Sequence, residues 1–102
     1  MTYELALYAL ADPTRRRLLR RLRRRPHAVG ELAQHLQVSQ PAVSQHLAVL
    51  RRARLVQSRA TGTTRLYQPH LAGVAALRKY LDDMWDDVLE AYADSFNEET
   101  DD

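Results

Sequence analysis

The sequence predicts a mainly α-helical domain that carries one small β-hairpin. Two short segments with helical spacing of apolar residues are separated by three residues, two β-prone segments follow them, and a long apolar stripe comes last. The first pair is the pattern of a helix-turn-helix, and a hairpin directly behind it is the pattern of a wing. We therefore expect a winged helix-turn-helix of five helices and two strands, formed as a single domain over residues 1–102.

The chain begins with two predicted helices. Residues 3–11 are rich in Leu and Ala, which favours a short first helix. Asp12 is a good N-cap and Pro13 is tolerated in a first turn, so the second helix is expected to run from residue 13 to about residue 24. Pro26 disfavours a helical conformation for the residue before it, and this ends the second helix.

The helix-turn-helix is predicted over residues 29–52. Residues 29–36 form the third helix, and residues 37–39 make a tight break. Ser39 is a good N-cap for the fourth helix, which we expect from residue 40 to about residue 52, with Pro41 harmless in its first turn. Its apolar residues have the spacing of four and three that one buried face requires, at Val43, Leu47 and Leu50.

The hairpin and the last helix complete the predicted fold. Residues 55–60 and 64–68 are β-prone, and the loop Thr61-Gly62-Thr63 joins them, with a glycine for the unusual backbone angle. The helical period returns at residue 70 and continues to residue 96. The acidic residues 97–102 are expected to be a frayed tail.

Charge is divided unequally along the chain. Residues 12–68 hold thirteen arginines against Asp12 and Glu31, a net charge of +11, whereas residues 69–102 carry a net charge of −8. A basic body with an acidic tail indicates a polyanionic partner for the body. The simpler alternative is that these arginines only make a solvated surface.

Short polar side chains are predicted on the outward face of the fourth helix. Glutamine can form two hydrogen bonds with adenine, and serine can bond to any base or to a phosphate. No Arg or Lys occurs between Ser39 and Leu50, so base recognition would rest on neutral groups. The candidate DNA-contacting residues are Ser39, Gln40, Pro41, Ser44, Gln45 and His46. The alternative is that they are ordinary solvent-facing residues.

Three arginines near that helix are candidates for contacts with the DNA backbone. Arg59 and Arg65 flank the hairpin tip, where cations suit phosphates or the adjacent minor groove. Arg51 stands at the end of the fourth helix, where it would reach the backbone or complement the negative end of its own helix. A solvated surface hairpin is the alternative for the wing.

The composition argues against several other classes of protein. The chain contains no cysteine, so it has no disulfides, thiolate catalysis or thiolate metal sites. No apolar run approaches the roughly 20 residues that span a bilayer, and the first residues lack a signal-peptide pattern, which predicts a cytoplasmic protein without membrane contact. No catalytic set and no glycine-rich phosphate loop can be recognised, so we do not expect an enzyme.

Five motifs resemble the ArsR/SmtB family of bacterial repressors, and the resemblance covers residues 5–95. They are Ala11-Asp12-Pro13-Thr14-Arg15, Val29-Gly30-Glu31-Leu32-Ala33, the stretch from Ser39 to Arg51 with its Ser-x-His-Leu-x-x-Leu core, Leu55-Val56 and Arg65-Leu66-Tyr67. The resemblance implies a sequence-specific DNA-binding transcriptional regulator, a repressor that pairs into a homodimer through its first and last helices. Two recognition helices would then bind one palindromic operator on double-stranded DNA.

The implied dimer divides the chain into a DNA-binding body, residues 12–68, and two dimerisation segments, residues 3–11 and 70–96. The candidate interface residues are apolar beyond what one small domain encloses: Leu5, Leu7, Tyr8, Leu81, Trp85 and Leu89. The family usually has a glycine, in a left-handed conformation, where this chain has Arg54, so an arginine there should cost about 1 kcal/mol. A polar cap is common where Ala28 stands.

The familiar metal sites of the family are missing from this chain. The Cys-x-Cys pair of metal-sensing members maps onto Ala28 and Gly30, and the last helix offers carboxylates but no histidine. We therefore predict no cofactor. A nickel- or zinc-responsive regulator with a histidine and carboxylate site is the alternative, with His27, His35 and His70 as weak candidate ligands.

Two further alternatives concern partners. A winged helix can serve as a protein-interaction module, with the acidic tail as the contact. A regulatory protein or a small ligand also stays open as a partner of a DNA-binding form.

Overall fold

The computed structural model describes the backbone of residues 3–100 and the side chains of residues 3–97. This part of the chain forms five helices and one antiparallel two-stranded hairpin. In chain order they are α1 (Glu4–Ala11), α2 (Pro13–Leu22), α3 (Val29–Leu36), α4 (Gln40–Arg52), β1 (Val56–Thr61), β2 (Thr64–Pro69) and α5 (Leu71–Thr100). The predicted fold class and the order of its elements are confirmed.

The core lies between the first four helices and the base of the hairpin. Its largest fully buried side chains are Leu18, Leu22, Leu32, Val43, Leu47, Leu50, Leu55 and Val56. They come from α2, α3, α4 and the start of β1, so the core joins the helix-turn-helix to the hairpin. Burying a side chain of this size contributes roughly 1.5–3 kcal/mol, so this cluster fixes how α4 sits in the body.

Caps and left-handed residues set the ends of the helices. The Asp12 carboxylate accepts hydrogen bonds from the backbone N–H groups of Thr14 at 2.8 Å and Arg15 at 3.1 Å. The bond from Arg15, more than any other contact, lowers the pKa of Asp12 from its usual value. Gln37, after α3, and Arg54, after α4, have φ angles of 56° and 61°. Arg54 therefore has the left-handed conformation that the family comparison predicted.

Two predicted boundaries needed correction. The prediction that α2 runs to about residue 24 was wrong, because the helix ends at Leu22 and the Arg24 N–H bonds to Arg21 O in a tighter turn before Pro26. The prediction of a three-residue hairpin loop, Thr61-Gly62-Thr63, was also wrong. Thr61 pairs with Thr64, which leaves a two-residue turn with Gly62 at φ 63°.

His27, two residues before α3, contributes a short strand-like contact that the sequence did not predict. His27 and Tyr67 form an isolated antiparallel bridge, with N–H···O distances of 3.0 and 2.8 Å. The bridge ties the start of the helix-turn-helix to β2. A single residue pair has no periodicity, so no pattern in the sequence announces it.

The start of α5 packs tightly on the body. A Cβ added to Gly73 would lie 1.7 Å from the carbonyl oxygen of Arg54, so only glycine allows this approach. Leu77 is buried in the core, and the ring of Tyr80 stacks on that of Tyr3 with 4.4 Å between the centroids. These contacts join α5 to the body and to α1.

The rest of α5 projects away from the body. The helix has 30 residues, and the molecule measures 69 × 24 × 23 Å, with its long dimension matching a helix of about 45 Å plus the body. Every side chain from residue 82 to residue 97 is exposed. None of the described helices is both long enough and apolar enough to cross a membrane.

The predicted frayed tail, residues 97–102, was wrong for its first part. The helix continues through Thr100, because Glu98 and Glu99 are good helix formers and no Gly or Pro interrupts them. Residues 101–102 lie outside the described residues.

Candidate nucleic-acid interface

A cap and one apolar face hold α4 in place. Ser39 precedes the helix in an extended conformation, and its Oγ accepts a hydrogen bond from the Ala42 N–H at 3.3 Å. Pro41 lies in the first turn, where its missing N–H leaves no helical bond unmade. The three side chains of the apolar face are at most 1 % exposed: Val43, Leu47 and Leu50. The opposite side of α4 is therefore presented to solvent.

The exposed side of α4 is neutral over its first turns and basic at its end. We call this surface the α4 face, and its residues are Gln40, Pro41, Ser44, Gln45, Ala48, Arg51 and Arg52, with Ser39 exposed just before them. The structure brings together all the α4 residues predicted from the sequence except His46. It adds Ala48, which sequence reasoning missed although it stands four residues after Ser44. A methyl group can pack against the methyl of thymine.

His46 does not belong to the α4 face. It stands three residues after Val43 and four before Leu50, which puts it beside the buried side of the helix. The side chain is half-buried, and its Nδ1 lies 3.3 Å from Nη1 of Arg15 in α2. Because a guanidinium only donates, Nδ1 of a neutral His46 is the acceptor. The structure therefore places His46 between α4 and α2, half-buried and in contact with Arg15, at the side of the α4 face.

Arg15 is a positioning residue that sequence reasoning did not single out. It is buried, and its Nε donates to the carbonyl oxygen of Ala9 at 2.7 Å while Nη2 donates to that of Tyr8 at 3.3 Å. The guanidinium thus bonds to carbonyl groups at the carboxyl end of α1 and, at the same time, contacts His46 in α4. Its spacing from Leu18 and Leu22, three and seven residues, is the signal that marks it as part of the buried face.

The first turn of α3 borders the α4 face. A Cβ on Gly30 would lie 3.6 Å from Nε2 of Gln40. Glu31 holds this turn, because it accepts the Ala28 N–H at 3.2 Å and a hydrogen bond from Arg25 Nη2 at 2.7 Å. The Arg25 bond first, and the Ala28 bond second, lower the pKa of Glu31 to about 2. Glu31 thereby stabilises a helix start at which Ala28 offers no side-chain cap.

The hairpin presents its two arginines on different surfaces. Arg59 is paired with Leu66, and Arg65 is paired with Ala60. Paired residues share one face of a hairpin while successive residues alternate, so Arg59 and Arg65 lie on opposite faces. Both side chains are exposed; Arg65 Nη1 donates to Ser58 Oγ at 3.0 Å, whereas Arg59 has no side-chain hydrogen bond within the described residues. Both arginines are near the tip, as predicted, and they project from opposite faces of the hairpin.

Positive charge around the α4 face is not neutralised within the described residues. Arg51, Arg52 and Arg59 are all exposed, and none forms an ion pair with an acidic side chain in residues 3–97. The acids of that part which do pair are Glu31 with Arg25, Asp82 with Arg78 and Asp83 with Lys79. Unpaired cations beside a neutral polar surface are the arrangement expected where phosphates flank bases.

The three candidate metal ligands are not gathered into one site. His27 is buried, and its Nδ1 lies 2.7 Å from the carbonyl oxygen of Arg25. The ring of His35 meets that of His27 edge-on at 6.0 Å, and His70 stands at the start of α5. Within the described chain, no group of three or more His, Asp or Glu side chains is close enough to hold a metal ion. A site that bridges two subunits stays a prediction.

A helix-turn-helix whose second helix exposes neutral hydrogen-bonding groups beside a basic hairpin defines a winged helix-turn-helix DNA-binding protein. Residues 12–58 match the sequence profile of a family described as bacterial regulatory protein, arsR family. The chain belongs to this family, which confirms the resemblance stated from its motifs.

Relatives extend the match beyond the helix-turn-helix. The HTH-type transcriptional regulator Rv2034 of Mycobacterium tuberculosis is 55% identical over 97 residues, which cover 95% of this chain and 91% of that protein. The HTH-type transcriptional repressor SmtB of the same organism is 41% identical over 71 residues, which cover 67% of this chain and 53% of that protein.

A solved structure agrees with these sequence matches. The structure of a possible transcriptional regulator for arsenical resistance aligns with a TM-score of 0.70 at 43% identity, covering 78% of this chain and 82% of the other. The chain is therefore a DNA-binding transcriptional regulator and not an enzyme.

Proposed function

We propose that the chain is a repressor that binds a palindromic operator as a homodimer. The α4 face carries this proposal. Ser39, Gln40, Ser44 and Gln45 would contact base edges in one major-groove half-site, with Pro41 and Ala48 beside them. Arg51 and the wing residues Arg59 and Arg65 would neutralise phosphates.

The exposed apolar side chains in the outer half of α5, beyond residue 81, support the proposed dimer. Its exposed apolar residues have the spacing of one helical stripe, and they are Trp85, Val88, Leu89, Tyr92 and Phe96. On α1, the predicted interface residues Leu5, Leu7 and Tyr8 are exposed as well, whereas Leu81 is half-buried against the core of its own chain. A two-fold axis would bury the same stripe on both subunits.

Two-fold symmetry fixes the form of the operator. Two α4 helices related by such an axis require two inverted half-sites, with centres about 10–10.5 base pairs apart or a multiple of that spacing. The similarity to the transcriptional repressor SmtB supports repression, and a dimer over an operator excludes other proteins from the same DNA.

The first experiment is selection of genomic DNA fragments by the purified protein, followed by affinity measurements on single-base variants of the selected site. We expect an inverted repeat. Gln45→Ala should relax the preference at one position by about 1–3 kcal/mol if its contact is bidentate. Gln34→Ala is the control, because Gln34 is an exposed glutamine of α3 outside the α4 face. Failure to retain any fragment would favour a protein-interaction module instead.

The wing is tested by the salt dependence of binding. Arg59→Ala should weaken binding to all sequences alike and reduce the slope of log affinity against log salt by about one phosphate. We expect the same kind of effect for Arg65→Ala. Since the two arginines lie on opposite faces, the losses should be unequal. Unchanged binding by the doubly substituted protein would remove the wing from the interface.

Repression is tested in cells with a reporter placed under the selected operator. Deletion of the protein should raise transcription, and a fall would identify an activator. Nickel and zinc are added to the same operator-binding assay. A tenfold change in affinity that is abolished by His70→Ala or His35→Ala would establish the metal-responsive alternative.

A further inference from the structure

A cavity of about 290 Å³ lies between α2 and the carboxyl end of α3. Five arginines of the α2 segment line it together with one histidine of α3: Arg17, Arg20, Arg21, Arg23, Arg24 and His35. No acidic side chain is among the lining residues. Guanidinium groups gathered around one cavity repel one another, so the site carries an electrostatic cost until an anion enters.

The arginines of the cavity have few hydrogen-bond acceptors within the described part of the protein. Arg17 Nη2 approaches the carbonyl oxygen of Leu36 at 3.5 Å, and Arg21 Nη2 lies 2.9 and 3.0 Å from the two ring nitrogens of His35. Arg21 Nε is buried without a hydrogen-bond partner in the described part of the chain. None of the five arginines forms an ion pair within residues 3–97. A buried donor that lacks a protein acceptor, beside four other guanidinium groups, is a favourable place for an anionic acceptor.

The cavity is separate from the α4 face. Gln40 of that face neighbours Gly30 at the amino end of α3, whereas the cavity is lined by the other end of the same helix. Six residues separate Gly30 from Leu36, which is about 9 Å along a helix axis. The lining residues surround one open depression, so several guanidinium groups are within reach of one small anion.

We propose that this cavity binds a linear oligophosphate. Each phosphate offers several acceptor oxygens, and the planar fork of arginine matches pairs of them. A chain of phosphates spreads its charge along the cavity, so it satisfies several guanidinium groups at once. Leu36 is the only apolar side chain of the lining, no Phe, Tyr or Trp is there to hold a nucleobase, and the imidazole of His35 is occupied by Arg21. Inorganic tripolyphosphate and the phosphate chain of a nucleotide should therefore bind alike.

The test is calorimetric titration of the full chain, without DNA, at constant ionic strength. We expect tripolyphosphate to bind more tightly than pyrophosphate, and pyrophosphate more tightly than sulfate. Arg20→Ala combined with Arg24→Ala should weaken tripolyphosphate binding at least tenfold. Both side chains are exposed and make no hydrogen bond within the described residues, so the fold should be retained. The control is Arg51→Ala with Arg52→Ala, which removes the same charge and should change tripolyphosphate affinity less than twofold.

A second pair of variants separates geometry from charge. Arg20→Lys with Arg24→Lys keeps the charge and loses the guanidinium forks, so it should fall between the wild type and the alanine pair. Equal losses for the Arg20/Arg24 and Arg51/Arg52 alanine pairs would show diffuse attraction and overturn the proposal. ATP binding far more tightly than tripolyphosphate would overturn the assignment to the phosphate chain.

Operator binding completes the test. The Arg20/Arg24 alanine pair should keep operator affinity within twofold, while the Arg51/Arg52 alanine pair should lose it. If the Arg20/Arg24 alanine pair weakens operator binding as much as it weakens tripolyphosphate binding, the arginines of the cavity contact the DNA backbone and the proposal is wrong. Because tripolyphosphate is titrated without DNA, its outcome does not depend on the proposed operator function.

Discussion

The body and the outer half of α5 use the same sequence pattern with different results. In α4, apolar residues at helical spacing are buried, and Leu47 is 1% exposed. In α5 beyond residue 81, the same spacing leaves Trp85 58% and Tyr92 70% exposed. Periodicity shows which face of a helix is apolar, but it does not show whether the covering partner is in the same chain.

Charge separates the two regions as clearly as burial does. The arginines are concentrated in the body, and the sequence of the outer half of α5 contains eight acids: Asp82, Asp83, Asp86, Asp87, Glu90, Asp94, Glu98 and Glu99. Asp82 and Asp83 form i,i+4 pairs with Arg78 and Lys79, and because these pairs are exposed they contribute little to stability. Because phosphates repel an acidic helix, we expect DNA contact from the body and not from the outer half of α5.

The largest expected effect comes from breaking the junction of these two regions. Gly73→Ala places a Cβ 1.7 Å from the Arg54 carbonyl oxygen, which is backbone and cannot rotate away. Either α5 moves or the strain remains, so we expect a loss of about 3 kcal/mol in the free energy of unfolding, measured by urea denaturation.

The control for this substitution is Gly30→Ala. A Cβ on Gly30 would make only an ordinary contact of 3.6 Å with Gln40, and alanine is the better helix former. Stability should therefore rise by about 0.5–1 kcal/mol. Equal behaviour of the two variants would mean that α5 is not held against Arg54 in solution.

A somewhat smaller effect is expected within the outer half of α5. Trp85→Glu puts a charge into the proposed interface, so the dimer should weaken by about 2–3 kcal/mol, roughly 30- to 150-fold in dissociation constant. Sedimentation measures this directly. Asp87→Ala is the control, because residue 87 is about 200° around the helix from residue 85. A wild-type chain that is monomeric at micromolar concentration would refute the dimer.

Within the body, we expect the largest effect from removing the side chain of Arg15. Arg15→Ala leaves the carbonyl oxygens of Tyr8 and Ala9 without their donor and removes the partner of His46. We expect a loss of about 2 kcal/mol in stability and a weaker operator complex, because α4 loses its brace. Arg16→Ala should cost less than about 1 kcal/mol, since Arg16 is exposed and donates to Leu10 O alone. Equal losses would argue against a positioning role for Arg15.

Local signals in the sequence predicted most of the body. Val29–Leu36 and Gln40–Arg52 have the predicted bounds, because the cap Ser39, Pro41 in the first turn of α4 and the apolar spacing act within a few residues. The exposed surface of α4 followed from its buried face, apart from His46. The spacing of His46 from Val43 and Leu50 puts it beside the buried face, and its contact with Arg15, 31 residues away, is the part that no local pattern encodes.

Non-local contacts account for the remaining errors. The His27–Tyr67 bridge, the approach of Gly73 to Arg54 and the arginine cavity all depend on how distant segments pack. Eight arginines occur between residues 15 and 25, and composition alone does not distinguish the buried Arg15 from the exposed ones.

The smallest expected effect concerns the exposed pair that holds the start of α3. The pKa of Glu31 is lowered from 4.5 to about 2 in the folded chain, by Arg25 and then by the Ala28 N–H. A lowered folded pKa stabilises the fold above the unfolded value and loses that contribution as pH falls from 4.5 to about 2. The stability difference between wild type and Glu31→Gln should therefore be constant near neutral pH and shrink over this window. Salt should reduce this stability difference, because the pair is exposed.

Arg25→Gln, alone and combined with Glu31→Gln, completes a double-mutant cycle by chemical denaturation. A coupling that does not change between pH 6 and pH 3 would show that the ion pair does not form in solution.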